Sequence, residues 1–482
     1  MSESEFGLKR VLGLFALVSI EVGFTIGAGI FVLTGYALSL TGPSLPLAFI
    51  LAGILILLLM LSLAMLGSAI PCVGGTYRYP SRLFSSGWAF VGAWGYLLGM
   101  IFGTFPLYSL RAVEYLFQSF AYTPSFWVIQ LCSALLLSFF YLVNLRGVEL
   151  AGWVQIVMVV ILLSALIFFS GKGMVKVNPE NFHPLFPKGF SGLLAGSAVL
   201  TLALLGANSV IELGAEIKNP GRNIPLSLLI SIPLVAVLYV AVAVVSVGVC
   251  PWQECAGKLL SEPAQMILGS AGFKFFLLGG AFLAITTSLN ACFMCATKSL
   301  LVVSDDRLFP RWLCAVHPKY HTPHRFLTII WLIGLLAIFF RVPAGTFETY
   351  ASIGGLIIFI PLMISVLLFP KKLPRAYAQA PFQLRGFLLW LCPGLGMILS
   401  ILAIFMLFTQ LEIGWRWFFI FWLIGGALLY ILQKKRAQNL EKDLLALNIL
   451  RDLKTWSGLK PNHSPAENPQ GKANPGKEKQ DK

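Results

Sequence analysis

Residues 22–38, VGFTIGAGIFVLTGYAL, lie inside a long apolar run and carry Gly23, Gly27, Gly29 and Gly35. A glycine weakens a helix interior by roughly 1 kcal/mol relative to alanine. Such a cluster at the centre of a hydrophobic helix points to a place where regular helix is not wanted.

The surrounding chain is 57% hydrophobic and only 11% charged, against about 25% charged in an ordinary soluble domain. Apolar runs of about 20 residues recur along it, each matching a bilayer's hydrocarbon core. A large soluble core would leave too little polar surface to cover it. The sequence reads as an all-α polytopic membrane protein. Twelve transmembrane helices are expected at about 11–38, 45–69, 88–117, 125–144, 150–170, 191–216, 226–249, 273–301, 325–340, 349–368, 386–408 and 416–433. The first is too long for a signal-peptide core and lacks a small-residue cleavage site, so it is expected to be retained.

Lys and Arg concentrate on the cytoplasmic side of membrane proteins. One side would hold Lys9, Arg10, Arg78, Arg82, Arg146, Lys218, Arg222, the Arg307–Arg325 group, the Lys371–Arg385 group and the basic tail. The other would hold Lys172, Lys176, Lys188, Lys258, Arg341 and Arg416. Both termini are therefore expected in the cytoplasm, the chain lying in a cell (inner or plasma) membrane. The net charge of +15 expresses this bias and needs no nucleic-acid partner.

The eight cysteines are scattered and behave as small hydrophobes. Cys292 and Cys295 have redox-motif spacing without a second pair, so neither metal nor cofactor is expected. Cys250 and Cys255 share an outer loop and could pair, with free thiols the favoured reading. Residues 436–456 form an expected amphipathic helix with Leu440, Leu444 and Leu447 on one face, on the membrane surface or against the protein. Beyond 457 the chain is too polar to pack and is expected to be disordered. The sequon at Asn462 falls in that tail, on the wrong side for glycosylation.

A second break follows half a protein later. The sixth span holds Gly206-Ala207-Asn208-Ser209 at its centre. Both breaks open a block of five spans, as in transporters whose two discontinuous helices meet near the midplane. Packing of small residues is the alternative, but the Gly27-Ala28-Gly29 triplet and the polar Asn208-Ser209 pair suit unwinding better. Freed N–H groups at a helix start attract an anion. Freed carbonyls on the other half accept bonds from an ammonium group.

The motifs resemble those of the amino acid–polyamine–organocation permeases. IGAGIF (26–31) is similar to the first-helix signature, and SAIPCVGGTYRYPSR (68–82) to the loop after helix two. LLGANSVIELGAEIKNPGRNIP (204–225) is similar to the sixth helix and its exit, and NACFMCATKSLLVVSDDRLFPRWLCAVHPKYHTP (290–323) to the eighth helix and following loop. The resemblance implies a secondary transporter of amino acids or amines on the five-plus-five inverted-repeat (LeuT-type) fold with two C-terminal helices. The transporter domain would be 1–435, with repeat one about 11–170, repeat two about 191–368 and helices 11–12 about 386–433. By position, Ala28 and Gly29 would offer N–H groups to the substrate carboxylate. The carbonyls of Thr25, Ile26, Ala203 and Leu204 would receive the amino group. Gly206 and Asn208 mark the second break, where many relatives carry a glutamate in place of Asn208. Tyr96, Met100 and Ser352 would line the pocket wall.

There are departures. Met65 stands where many relatives have an acid, Arg307 where they have a glycine, and Leu204 and Leu205 where an aromatic is common. The fifth span lacks the lysine found in some proton-coupled relatives. Buried acids are expensive in a membrane and point to function. Glu21 would titrate or bind a cation, or instead pair with a loop Arg or face a water-filled vestibule. Glu212 and Glu216 would share a helical face with Asn208, Glu216 serving as an inner gate or salt bridge. Arg111 and Glu114 would pair at i, i+3. In sodium-coupled relatives of this fold, hydroxyls such as Thr287 and Ser288 complete a Na+ site, though such hydroxyls more often bond their own helix.

The resulting expectation is a permease for a neutral amino acid, driven by H+ or another cation or by exchange. An exchanger of cationic amino acids or polyamines is the alternative, favoured by Glu21 and Glu212. A non-transporting sensor of the same fold is a further one. All five histidines fall outside the spans, which argues against an intramembrane enzyme.

Overall fold

The computed structural model describes residues 5–340, 344–440 and 444–458. Where one first span was expected there are two helices, α1 (Leu14–Ile26) and α2 (Gly29–Thr41). Gly27 separates them at φ 41° and ψ −154°, a conformation that side chains resist and glycine tolerates. Then come α3 (Leu45–Ala69), the short α4 (Gly75–Leu83), and α5 (Ser86–Leu98) joined to α6 (Phe105–Ser119) by a π turn at Gly99–Thr104. α7 (Phe126–Leu145) and α8 (Val148–Met174) complete the first half.

The second half opens with α9 (Gly189–Ala203), which stops before Gly206. α10 (Pro220–Val249) follows, then α11 (Leu283–Asp305) entered through a π turn at Phe276–Phe282, and α12 (His324–Phe339). α13 (Ala344–Ile357) and α14 (Phe359–Lys372), α15 (Leu388–Gln410), α16 (Ile413–Leu440) and α17 (Leu444–Trp456) finish the described chain. No strand occurs among the described residues. Two isolated bridges join Leu12 to Ile217 and Val73 to Leu213.

Nine stretches among the described residues are long and apolar enough to cross a membrane. That is fewer than the twelve expected. α2 and α3 run on as one 41-residue stretch, while Leu14–Ile26, Gly189–Thr201 and His324–Phe339 are shorter apolar helices. Large apolar side chains stay exposed along α7, α8, α15 and α16, including Leu135, Trp153, Phe405 and Leu432. A water-soluble protein does not present such a belt, and lipid accounts for it. The chain is an all-helical polytopic membrane protein.

Three expectations change. The sixth span is not helical to 216: α9 ends at Ala203, a 3-10 turn covers Ala207–Glu212, and 213–217 is irregular. Asn208, Glu212 and Glu216 therefore do not share one helical face. Cys250 and Cys255 are joined by a disulfide rather than free. In the tail, Leu440 belongs to α16, and the face of α17 that is buried carries Leu445, Asn448 and Asp452 while Leu447 is exposed. Polar pairing through Asn448 and Asp452 joins apolar contacts of Leu445, Leu453 and Trp456 in docking this helix against the protein. Arg341, residues 459–482 and the sequon there lie outside the described residues.

Candidate functional site

The two breaks touch. A Cβ on Gly29 would lie 3.0 Å from the Ala203 Cβ and 3.1 Å from its Cα, and one on Gly206 would lie 2.7 Å from the Phe24 carbonyl carbon. Gly206 has φ 146°. Only glycine at these two positions lets the broken backbones approach so closely. Because α2 begins at Gly29, the N–H groups of Ala28 and Gly29 lie at a helix start, among those without an intrahelical acceptor. The opposite end is less free than expected. The Tyr239 hydroxyl donates to the carbonyls of Ile26, at 3.0 Å, and Thr25, at 3.3 Å.

Two adjoining cavities surround the breaks. The smaller, about 150 Å3, is lined by Tyr96, Met100, Gly206, Asn208, Glu212 and Ser352, among others. The larger, about 620 Å3, is lined by Thr25, Ala28, Gly29, Ala203 and Ser352 and reaches Arg111, Glu114 and Glu348. Its size falls in the range of roughly 300–1,000 Å3 usual for small-molecule sites. Phe24, Tyr108, Leu205, Ala351 and Ser352 line both. Ile26 and Leu204 line neither, their side chains being fully buried in packing.

Sequence reasoning missed Phe24, Thr76, Thr104, Tyr108 and Phe359 in the lining. The signal for the third-helix group was available in the glycines. Gly99 and Gly103 let the π turn meet α13 backbone to backbone, a Cβ on Gly103 falling 2.4 Å from Ala351 N. Such π turns recur at functional sites.

The buried acids divide into distinct settings. Glu21 is fully buried, with Ser227 Oγ donating to Oε1 at 2.7 Å and Ser231 Oγ to Oε2 at 2.5 Å. It meets neither a loop Arg nor a vestibule. Glu212 accepts from the Thr76 amide at 3.1 Å and from the Thr76 hydroxyl, and its Oε2 lies 2.8 Å from Ser299 Oγ. Glu216 pairs with Lys298 at 2.7 Å, both side chains buried. Met65 lies packed in the core and accepts from Leu384 N through its sulfur at 3.5 Å. Where a fifth-span lysine was absent, Gln155 and Val159 of α8 face Gly23. Thr287 Oγ1 and Ser288 Oγ donate to Gly23 O at 3.0 and 3.1 Å, and Ser288 also reaches Phe24 O at 3.3 Å.

Ion pairs gather at both ends of the helical body. At the face carrying α4 and α17, Arg82 pairs with Asp306 at 2.5 Å and with Asp452 at 2.9 Å, and Arg78 with Asp452 at 2.7 Å. Burial pushes the Asp452 carboxyl up, but the Arg78 and Arg82 guanidiniums outweigh it and hold the group below its ordinary range. Arg307 adopts φ 62°, the left-handed region that favours glycine. At the opposite face Arg111 pairs with Glu114 at 2.9 Å and Glu348 at 3.2 Å.

A helical body with a lipid-facing belt and two broken helices meeting beside a cavity is the arrangement of a membrane transporter. The comparisons give the family. A family model described as amino acid permease matches residues 16–437. The chain is 29% identical over 470 residues to the branched-chain amino acid permease BcaP of Bacillus subtilis, covering 92% of this chain and 96% of that protein. It is 28% identical over 454 residues to the methylthioribose transporter of the same organism, covering 90% and 95%. It is 27% identical over 384 residues to the vacuolar cationic amino acid transporter 4 of Arabidopsis thaliana, covering 75% and 63%. The chain belongs to the amino acid permease family.

Proposed function

We propose that the protein is a secondary active permease that moves a neutral, apolar amino acid by alternating access on twelve spans arranged as a five-plus-five inverted repeat plus two helices. The observation that carries this reading is the contact of the two breaks beside an apolar and aromatic cavity. The N–H groups of Ala28 and Gly29 would take the substrate carboxylate. The Ala203 carbonyl, with Thr25 sharing its lone pairs between Tyr239 and substrate, would take the amino group. Phe24, Tyr96, Met100 and Leu205 would surround the side chain, where apolar burial is worth about 25 cal/mol per Å2. Asn208 adds no charge there. The full match to a branched-chain amino acid permease supports an apolar substrate.

The face carrying α4 and α17 would be cytoplasmic, in a cell membrane. The Cys250–Cys255 disulfide on the other side suits an oxidising compartment. Coupling would involve Glu21, Glu212, Glu216, or Thr287 and Ser288. A sodium reading draws on the hydroxyls of the last two, gathered around the Gly23 and Phe24 carbonyls. If sodium drives uptake, sodium-free buffer abolishes accumulation and Ser288→Ala weakens the sodium dependence.

The test is flux of labelled leucine, methionine, phenylalanine and lysine into proteoliposomes holding the full chain. Leucine, methionine or phenylalanine entry supports the proposal. Selective lysine entry accelerated by internal lysine would establish the alternative, a cationic exchanger, for which Glu212 in the cavity lining is the favouring observation. Binding without flux would make the protein a sensor.

A further inference from the structure

Deepening the transporter reading, and resting on it, we propose that Glu212 carries a proton that moves with the substrate, held here in a ring with the hydroxyls of Thr76 and Ser299 and released when α4 and α11 part. Glu212 Oε1 contacts Thr76 Oγ1, Thr76 Oγ1 contacts Ser299 Oγ at 2.8 Å, and Ser299 Oγ contacts Glu212 Oε2 at 2.8 Å. Each oxygen–oxygen contact at hydrogen-bond distance needs one hydrogen. An ionised carboxylate only accepts, so the two hydroxyls would supply two hydrogens for three contacts. A proton on Glu212 completes the set. With that proton on Oε2 and directed at Ser299, Oε1 remains a carbonyl oxygen. It then accepts both the Thr76 hydroxyl and the Thr76 amide N–H, the latter at 3.1 Å.

Position gives the ring its role. Glu212 ends the 3-10 turn of the second break, Thr76 belongs to α4 and Ser299 to α11. Glu212 lines the smaller cavity, which shares lining residues with the larger one, so a proton from the opposite face has a route to it. Opening at the face of α4 separates the three residues and lets water reach the carboxyl. The Oε2–H bond then breaks, its proton passes to water and a carboxylate remains. Glu21 lines neither cavity, and among the described residues its carboxyl bonds to α10 serines, so it lacks such a route.

The neighbouring ionisable groups leave Glu212 this freedom. Tyr79 of α4, Tyr96 of α5 and Cys295 of α11 lie around it. Lys298 of α11 is paired with Glu216, and Arg78 and Arg82 of α4 engage Asp452 and Asp306. From α1 comes Glu21. From α10 come Tyr239, bonded to the first break, and Arg222 at the helix start. α3 carries no ionisable side chain.

The test uses the full chain in proteoliposomes with a trapped pH-sensitive dye and labelled L-leucine outside. Leucine entry is expected to acidify the lumen with about one proton per leucine, and Glu212→Gln to lower that ratio at least tenfold. Thr76→Val should lower it too and Thr76→Ser restore it, which decides the matter even if Glu212→Gln fails to fold. Leucine entry without acidification in the unaltered protein overturns the proposal and leaves the permease reading standing. A loss of the ratio in Glu21→Gln but not in Glu212→Gln also overturns it. No flux of leucine, methionine, phenylalanine or lysine removes both.

Discussion

Gly206 stands with its Cα against the peptide that joins Phe24 to Thr25: a Cβ there would fall 2.7 Å from the Phe24 carbonyl carbon and 2.7 Å from Thr25 N. Its φ of 146° adds a conformational demand that alanine meets poorly. Backbone strain of this kind costs about 1–3 kcal/mol, before the steric contact is counted. Gly206→Ala should therefore reduce leucine uptake by tenfold or more. A variant that transports at the normal rate would show that the two breaks need not touch.

Gly29 faces Ala203 more gently, its added Cβ lying 3.0 Å from the alanine methyl. Gly29→Ala should weaken leucine binding and Gly29→Val abolish it, with the protein still inserted in the membrane. Since the neighbour is itself a side chain, Ala203→Gly should restore binding to Gly29→Ala. Equilibrium binding of labelled leucine to purified protein measures this. Failure of the rescue would place the defect in the N–H groups at the start of α2 rather than in the space beside them.

Removing the Tyr239 hydroxyl deprives the Ile26 and Thr25 carbonyls of their donor. A buried acceptor left without a partner costs about 1–3 kcal/mol. Tyr239→Phe should lower the thermal unfolding midpoint in detergent, and added leucine should recover part of the loss if its amino group takes over those carbonyls. Equal ligand-induced stabilisation in the two proteins would count against a shared role for these oxygens.

Asp452 of α17 is buried between Arg78 and Arg82 of α4. Taking away one partner of a buried ion pair costs about 3–5 kcal/mol, so Asp452→Asn should release α17 and speed its removal by trypsin. Because these arginines hold the carboxyl below its ordinary range, its stabilising contribution is full above about pH 4. That contribution is lost as pH falls through the lower folded value. Trypsin sensitivity unaltered by the substitution would mean that other contacts of α17, such as Trp456 beside Tyr79, suffice.

Much of the fold was legible one residue at a time. Gly27 and Gly206 announced the breaks, because only glycine occupies those backbone conformations without strain. Apolar run length located most of the helices, but the sixth stops at Ala203 rather than running on to 216. The docked tail helix was legible as a helix but not as to its buried face. Leucine spacing pointed to Leu440, Leu444 and Leu447, whereas Asp452 is the anchor, since two buried arginines on distant α4 needed an anion. Cys250 and Cys255 could pair by spacing, but the loop path that brings their sulfurs together is a tertiary result.

The candidate site divides along the same line. The sequence by itself determined where helix would fail, because backbone conformation and hydropathy are local properties. Only the tertiary structure decided that Gly206 meets Phe24, that Leu205 lines the cavity, and that Tyr239 shares the first-break carbonyls. It alone closed the ring of Glu212, Thr76 and Ser299 from segments 136 and 87 residues away. The reason is physical. In the low-dielectric interior an acid must find its partners among whatever side chains packing delivers, and no local pattern says which those will be.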